Sequence, residues 1–328
     1  MNLSFYIHIP YCVKRCGYCD FNTYTPAELK LEQGISSIST DYTDQVLAEI
    51  SMAKETVGTA KVPTIFFGGG TPSLMNPADI ARIIEKVKGS FELAKNCEVT
   101  LETNPDSVTK EELAQFRAAG VNRVSFGMQS SVSKVLKVLD RTHNPENLKL
   151  VTNWASEVGY EQISVDLIYG TPGESIADWQ SSIDAALTLP INHISAYSLI
   201  VEDGTKLAAQ IKRGEISAPN DDEMAEKYKI ADDAFRAAGF NWYELSNWAK
   251  SGSECQHNLI YWRNENWWGI GPGAHSHISG RRWWNVKNPF AYQERILAGK
   301  SPQADAEVLV SQQIENENLM LGIRLADG

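Results

Sequence analysis

Three cysteines near the amino terminus carry the first chemistry that the sequence offers. They stand in Cys12-Val-Lys-Arg-Cys16-Gly-Tyr-Cys19, a C-x3-C-x2-C run directly after a short apolar, β-branched stretch. Three thiolates at this spacing suit three corners of a [4Fe-4S] cubane, and the fourth iron is left without a protein ligand, open to a small molecule. The rival reading is a zinc site completed by His8 or Asp20. Zinc sites usually pair two knuckles of the C-x2-C or C-x2-H type, and the chain has no second one, so the spacing favours the cluster. Five cysteines in all, an odd number with three crowded together, do not make the framework of a secreted disulfide protein. They indicate metal ligands in a reducing compartment, and a cytoplasmic protein is expected.

A second signal is Phe66-Phe67-Gly68-Gly69-Gly70-Thr71-Pro72, glycines placed where an apolar strand ends. Without a Cβ, backbone amides and carbonyls can approach a ligand closely, which suits the amino and carboxylate groups of an amino acid. A tight strand-to-helix turn uses glycine too; a phosphate loop is disfavoured because no Gly-Lys-Ser/Thr follows. Polar residues then recur at the same end of successive strands. Glu102 closes the third, Gln129 lies just past the fourth, Asp166 is inside the fifth, and Tyr197 and Ser198 stand at the sixth. Ligands of βα barrels and open α/β sheets sit at the carboxyl ends of strands. Each residue alone is as readily a satisfied structural group. Their convergence on the end that carries the cysteines makes them candidates for one site.

The elements that must position these residues follow one theme from residue 3 to about residue 200: an apolar run, a Gly-rich or polar stretch, then helical periodicity. Strands are expected over 5–9, 64–67, 98–102, 123–126, 163–168 and 193–197, and helices over 77–87, 109–119 and 175–187, with Gly120 and Pro190 as stop signals. Six such units predict an α/β fold, a partial TIM-like (β/α)6 barrel with a mainly parallel sheet, although a doubly wound open sheet has the same local signature. After about residue 205 the regularity fades into an acidic helix over 221–238, a Trp-rich irregular stretch and a helix over 289–297. Seven of the nine tryptophans lie between Trp242 and Trp284. The expected division is therefore a barrel over 1–205 and a smaller α+β, Trp-rich extension over 206–328, packed directly on it since no Pro- or Ser-rich linker separates them.

Composition narrows the function. With 30 Lys and Arg against 41 Asp and Glu, the net charge of -11 lacks the footprint of a nucleic-acid binder. No stretch reaches the length that spans a bilayer, and the first residues lack a signal peptide's charged and apolar regions. The acidic run 221–226 is read as a solvated helix face, Cys97 as a packing residue and His8 as structural.

Taken together, Tyr6-Ile-His-Ile-Pro-Tyr-Cys12, the cysteine run, the Gly-Gly-Gly-Thr-Pro loop, Asp166-Leu-Ile-Tyr-Gly and Gly271-Pro-Gly-Ala-His275-Ser resemble the radical S-adenosylmethionine (SAM) coproporphyrinogen dehydrogenase-like group, over nearly all 328 residues. Within it the chain looks most like the HemW heme chaperones. The resemblance implies that the open iron binds the amino and carboxylate groups of SAM, and that an electron from the cluster can split SAM into methionine and a 5'-deoxyadenosyl radical. It places SAM on Tyr6, Tyr18, the Gly68–Gly70 loop, Thr71, Glu102, Gln129, Arg141, Asp166, Ser198 and His275. Glu102 suits the SAM ammonium, Arg141 its carboxylate and Asp166 a ribose hydroxyl, since charge-assisted bonds orient ions well. An electron donor such as flavodoxin or ferredoxin is implied, and a homodimer is allowed.

Two departures choose between porphyrin chemistries. The dehydrogenases carry a further cysteine two residues after the third; here that position is Phe21, as in the heme chaperones, which bind heme and pass it to client hemoproteins. The run Cys255-Gln-His257-Asn-Leu-Ile-Tyr261-Trp262 has the H-N-x-x-Y-W pattern that resembles the chaperones' heme site. By itself His257 reads as a core histidine in an aromatic cluster; with the resemblance it is expected to ligate heme, with Cys255 as a second candidate. A coproporphyrinogen III dehydrogenase remains the alternative, and a zinc-stabilised structural protein the third reading. The family continues past this point with a small helical unit, so a shortened form is expected.

Overall fold

The computed structural model describes residues 1–31 and 39–328. Its first half alternates strand and helix: β1 (Ser4–Ile9), α1 (Ser39–Val57), β2 (Lys61–Gly69), α2 (Pro77–Ser90), β3 (Glu92–Thr103), α3 (Lys110–Ala118), β4 (Arg123–Gln129), α4 (Ser133–Val138), α5 (Pro145–Glu157), β5 (Gln162–Tyr169), α6 (Ile176–Leu187) and β6 (His193–Ser198). Then come α7 (Lys206–Lys212), α8 (Asp221–Ala237), β7 (Asn241–Glu244), β8 (Asn247–Ala249), α9 (Gln256–Trp262), β9 (Trp267–Ile270), β10 (His275–Ile278), β11 (Arg281–Asn285), α10 (Pro289–Leu297), β12 (Gln303–Val308) and α11 (Ser311–Gly322). All six expected strands are present. The helices begin where short polar side chains can take up free amides: Asn76 caps α2 ahead of Pro77, and Thr109–Glu112 and Ser175–Asp178 form reciprocal capping boxes on α3 and α6.

The strand order settles which α/β architecture these units build. β1 to β6 lie side by side in sequence order and all pair in parallel. A doubly wound sheet reverses its order at a switch point; this one does not, so its crossover helices share one side, as in a barrel wall. Neighbouring helices α1 and α2, α2 and α3, α3 and α5, and α6 and α8 pack on one another accordingly. The wall is open: β6 bonds to β8 instead of β1, and β1's other edge takes β9 in parallel. The strands after residue 205 thus lengthen the same sheet at both ends, to β12 beyond β9, β10 and β11, and to β7 beyond β8.

Period-2 alternation divides the two faces. Phe5, Ile7 and Ile9 of β1, Ile65 and Phe67 of β2, Leu101 of β3, Val124 and Phe126 of β4 and Val165 and Leu167 of β5 are fully buried against the helices. Between them, Tyr6, His8, Thr64, Glu98, Glu102, Arg123, Ser125, Ser164, Asp166, His193 and Ser195 point to the opposite, inner face. That face is polar, which needs an explanation in every case, because a buried polar group must find a partner.

Candidate functional site

At the carboxyl end of β1 the chain turns out into the cysteine loop and returns at once. Tyr24 N–H donates to Pro10 O (2.7 Å) and Cys12 N–H to Tyr24 O (3.0 Å), so the loop is closed at its base. Its middle is pinned by Gly17, whose N–H donates to Leu139 O (3.2 Å) and whose carbonyl accepts from Leu207 N–H (2.8 Å). Cys12, Cys16 and Cys19 are all unbridged and partly exposed. Burial raises the Cys12 thiol and pushes the Cys19 thiol up to about 11, so these groups hold thiolate charge best when metal bears on them. Thr71 Oγ1 approaches Cys12 Sγ and Arg141 Nη1 approaches Cys16 Sγ, each at 3.7 Å. The zinc alternative fits poorly. Both ring nitrogens of His8 are engaged, by Tyr6 OH (3.1 Å) and Asn22 O (2.9 Å). Among the described residues no three ligating side chains gather around one ion, whereas a cubane takes its thiolates at separate corners.

The glycine loop meets the cysteine loop from β2. Gly70 N–H donates to Ile9 O and Thr71 N–H to Tyr11 O, both at 2.7 Å. A Cβ on Gly69, whose φ is +109°, would stand 2.5 Å from His8 Nδ1, and one on Gly70 would strike Tyr11 O. At Gly69 and Gly70 the side that a Cβ would take is filled by the protein's own β1 end. The small residues let the two loops lock together.

Around these loops the structure brings together most of the expected residues. Glu102 accepts from Gly69 N–H (3.1 Å); burial, then the nearby Asp166, pushes its carboxyl up to about 8. Asp166 is raised by burial and takes Ser125 Oγ at 3.0 Å on both oxygens. Arg141 donates through Nη2 to Gly127 O (2.9 Å) and through Nε to His143 Nδ1 (3.3 Å), which leaves Arg141 Nη1 aimed at Cys16. Gln129 ends β4 at a bulge with φ +54°, a left-handed conformation unusual for a non-glycine, and its buried Oε1 has no partner. Tyr18 lies in an apolar cluster with Leu139, Ile168 and Leu199, beside Cys16, and Ser198 stands opposite Tyr169 at the end of β6. A Cβ on Gly68 would stand 3.0 Å from the Tyr6 ring and 3.1 Å from Glu102 Oε2, so the glycine leaves room between them. His275 stands apart, on the second strand out from β1, exposed and stacked on Trp284 at 5.7 Å.

His257 is placed at the other end of the inner face. Its Nδ1 bonds Thr64 Oγ1 (2.7 Å), its Nε2 bonds Tyr261 OH (2.9 Å), and its ring stacks on Phe66 at 5.0 Å. Burial lowers its imidazole to about 3. Both nitrogens are engaged and the ring is neutral, so the expected axial ligation of heme requires His257 to give up Thr64 or Tyr261. Cys255 likewise is buried, with its thiol raised and directed at Glu98. The sequence gives no sign of Asn22, Ser125 and His143, which hold site residues in place, because isolated Asn, Ser and His residues carry no spacing signal.

Residues 6–186 match the Radical SAM superfamily. Over 324 residues the chain is 45% identical to the heme chaperone HemW of Mycobacterium tuberculosis, covering 98% of this chain and 82% of that protein. The chain belongs to the HemW family of radical SAM proteins. HemW of Bacillus subtilis is 36% identical over 330 residues, 99% of this chain and 84% of its own length. The solved coproporphyrinogen III oxidase HemN of Escherichia coli, 21% identical, superposes with a TM-score of 0.85 over 98% of this chain and 75% of that one, which shows a shared fold. Among the described residues no helix is long and apolar enough to cross a membrane.

Proposed function

We propose that this HemW-family protein is a heme chaperone that holds a [4Fe-4S] cluster on Cys12, Cys16 and Cys19, binds SAM beside it, and delivers heme to client hemoproteins. The carrying observation is the near full-length similarity to HemW proteins, joined to Phe21, which stands 60% exposed where the dehydrogenases have their extra cysteine. An apolar ring there offers no thiolate, so oxidation of coproporphyrinogen is not expected.

The residues suit the cofactors named. The thiols supply soft ligands for iron; the ionisable Glu102, the guanidinium of Arg141 and the unpaired Gln129 Oε1 offer a carboxylate, a cation and an acceptor to the ends of SAM. When bound, the cluster supplies one-electron chemistry, drawn from an external donor of the flavodoxin or ferredoxin kind. Heme contact is assigned to the outer face of α9. Asn258, Tyr261 and Trp262 line, with Tyr197, Glu244, Ser246 and Leu321, a cavity of about 250 Å3. That volume admits an edge of a porphyrin, with aromatic area for its face. The protein is taken as cytoplasmic. Anaerobic titration of heme, followed by visible spectra with and without SAM, tests the reading; absence of any saturable heme spectrum overturns it, and cluster-dependent release of carbon dioxide from coproporphyrinogen favours the dehydrogenase.

A further inference from the structure

The outgoing arm of the cysteine loop is gripped by a part of the chain that supplies none of the expected cluster ligands. Asn22, three residues after Cys19, inserts its side chain into a slot between two distant segments. Its Nδ2 donates one proton to Pro272 O (3.0 Å) and the other to Lys287 O (2.9 Å), and its Oδ1 accepts from Tyr24 OH (3.2 Å). All the polar capacity of that amide except one lone pair is used. Gly273, at φ +74°, keeps the slot open, since a Cβ there would stand 2.7 Å from Asn22 Nδ2.

The acceptors are themselves held rigidly. Behind the turn, Gly271 N–H donates to the buried Glu49 of α1 (2.9 Å), Asn285 Nδ2 bridges Glu49 (2.8 Å) and Gly271 O (2.9 Å), and Tyr292 OH donates to Glu49 (2.7 Å). On the other side, Asn22 O receives His8 Nε2–H, which leaves His8 Nδ1 to accept from Tyr6 OH. One residue therefore joins three bodies: the cysteine loop, the strand extension beyond β9, and, through its backbone carbonyl, the inner face at His8 and Tyr6. We propose that Asn22 is a positioning residue that fixes the cluster loop, and with it Cys19, relative to the SAM-facing floor. The proposal rests on the cluster reading of the three cysteines.

The test compares anaerobically reconstituted parent with Asn22→Ala, Asn22→Asp and Gly273→Ala. Asn22→Asp keeps the shape but turns an acceptor toward two carbonyls, so a role in mere packing survives it and a donor role does not. All three variants should release iron to a chelator on the order of tenfold faster than parent, as expected for one or two net hydrogen bonds. The electron paramagnetic resonance signal of the reduced cluster should change, and its response to added SAM should shrink. Far-UV circular dichroism and melting of the cluster-free proteins should match. Parent-like release and spectra in Asn22→Ala and Asn22→Asp overturn the proposal, as does a lowered melting point with an unchanged cluster signal, which makes Asn22 a general stabiliser. A parent that holds no iron and sulfide removes the cluster reading itself.

Discussion

The two ends of the sheet's inner face are built from the same kinds of residue and reach opposite states. At the amino-terminal end, Glu98 accepts the Gln256 (3.2 Å) and His257 (3.0 Å) amides of α9, Arg123 lies against Glu98 (3.7 Å) and donates to Ser253 O (3.0 Å), and His193 bridges Ser164 and Tyr243, both at 2.7 Å. Apart from one Arg123 nitrogen and Thr100 Oγ1, this tier satisfies itself. At the carboxyl end, Glu102 and Asp166 crowd together with raised carboxyls, Gln129 has an idle oxygen in a strained backbone, and three thiols stand open. Polar residues that pair with one another hold a fold; polar residues that repel one another or lack partners await something else. A substitution at one end should therefore be felt as stability, and at the other as binding.

The largest effect expected is at the open end. Replacing Cys12, Cys16 and Cys19 together by Ala should abolish iron and sulfide binding while the fold remains, because the core behind β1 is apolar and the loop lies outside it. Elemental analysis of parent protein should find about four irons and four sulfides. Stoichiometric zinc without sulfide would erase the distinction between the ends, since the thiols would then be structural too.

The closed end should respond in melting temperature. Glu98→Ala leaves Arg123 buried with no counter-charge and frees the amides at the start of α9, at a cost on the order of 3 kcal/mol. SAM affinity of the folded fraction should stay at the parent level. A lost SAM site with unchanged melting would mean that the two tiers are coupled.

The difference between the tiers was only partly legible in the sequence. The six core strands show as β-branched runs and their helices as capping residues at fixed offsets, so the wall of the barrel could be read locally. The cysteine spacing was likewise local. What saturates the lower tier was hidden, because Thr64 and His257, or Glu98 and Gln256, meet across well over a hundred residues of chain. The added strands were hidden for another reason: β8, β9 and β10 are three or four residues long, rich in Trp and His, and too short to display a period of two. His257 stands out in sequence by residue type alone, whereas its hydrogen bonds to Thr64 and Tyr261 do not show there.

Glu102→Ala and Arg141→Ala should each weaken SAM binding by about 1.5 to 3 kcal/mol, read by calorimetry, with cluster content retained. Unchanged affinity in both would relocate the SAM site. The pH dependence sharpens the point. With its carboxyl near 8, Glu102 is protonated at neutral pH, and a proton competes with the SAM ammonium. Affinity should rise as pH climbs toward about 8 and then level, whereas Glu102→Gln should be flat. The same raised value makes folding less favourable as pH rises from the ordinary carboxyl range toward 8, because the unfolded chain ionises first. A flat profile in the parent would show that Glu102 does not face the ligand.

The smallest and most discriminating difference concerns heme, because both candidates lie on one seven-residue helix. His257 belongs to the closed tier, so His257→Ala should lower the melting temperature through two lost hydrogen bonds and a cavity beside Phe66, while the Soret position stays that of the parent. Trp262 faces the lateral cavity, where Arg324 lies over its ring at 5.8 Å. Trp262→Ala removes aromatic area from the surface assigned to heme and should weaken heme binding by about 1 kcal/mol, some fivefold, with little change in melting. If His257→Ala instead shifts the Soret band and Trp262→Ala does nothing, α9 must release His257 from Thr64 and Tyr261 to reach iron. The imidazole would then be a ligand held in reserve by the closed tier, and saturation in the heme-free fold would no longer separate structural histidines from functional ones in this protein.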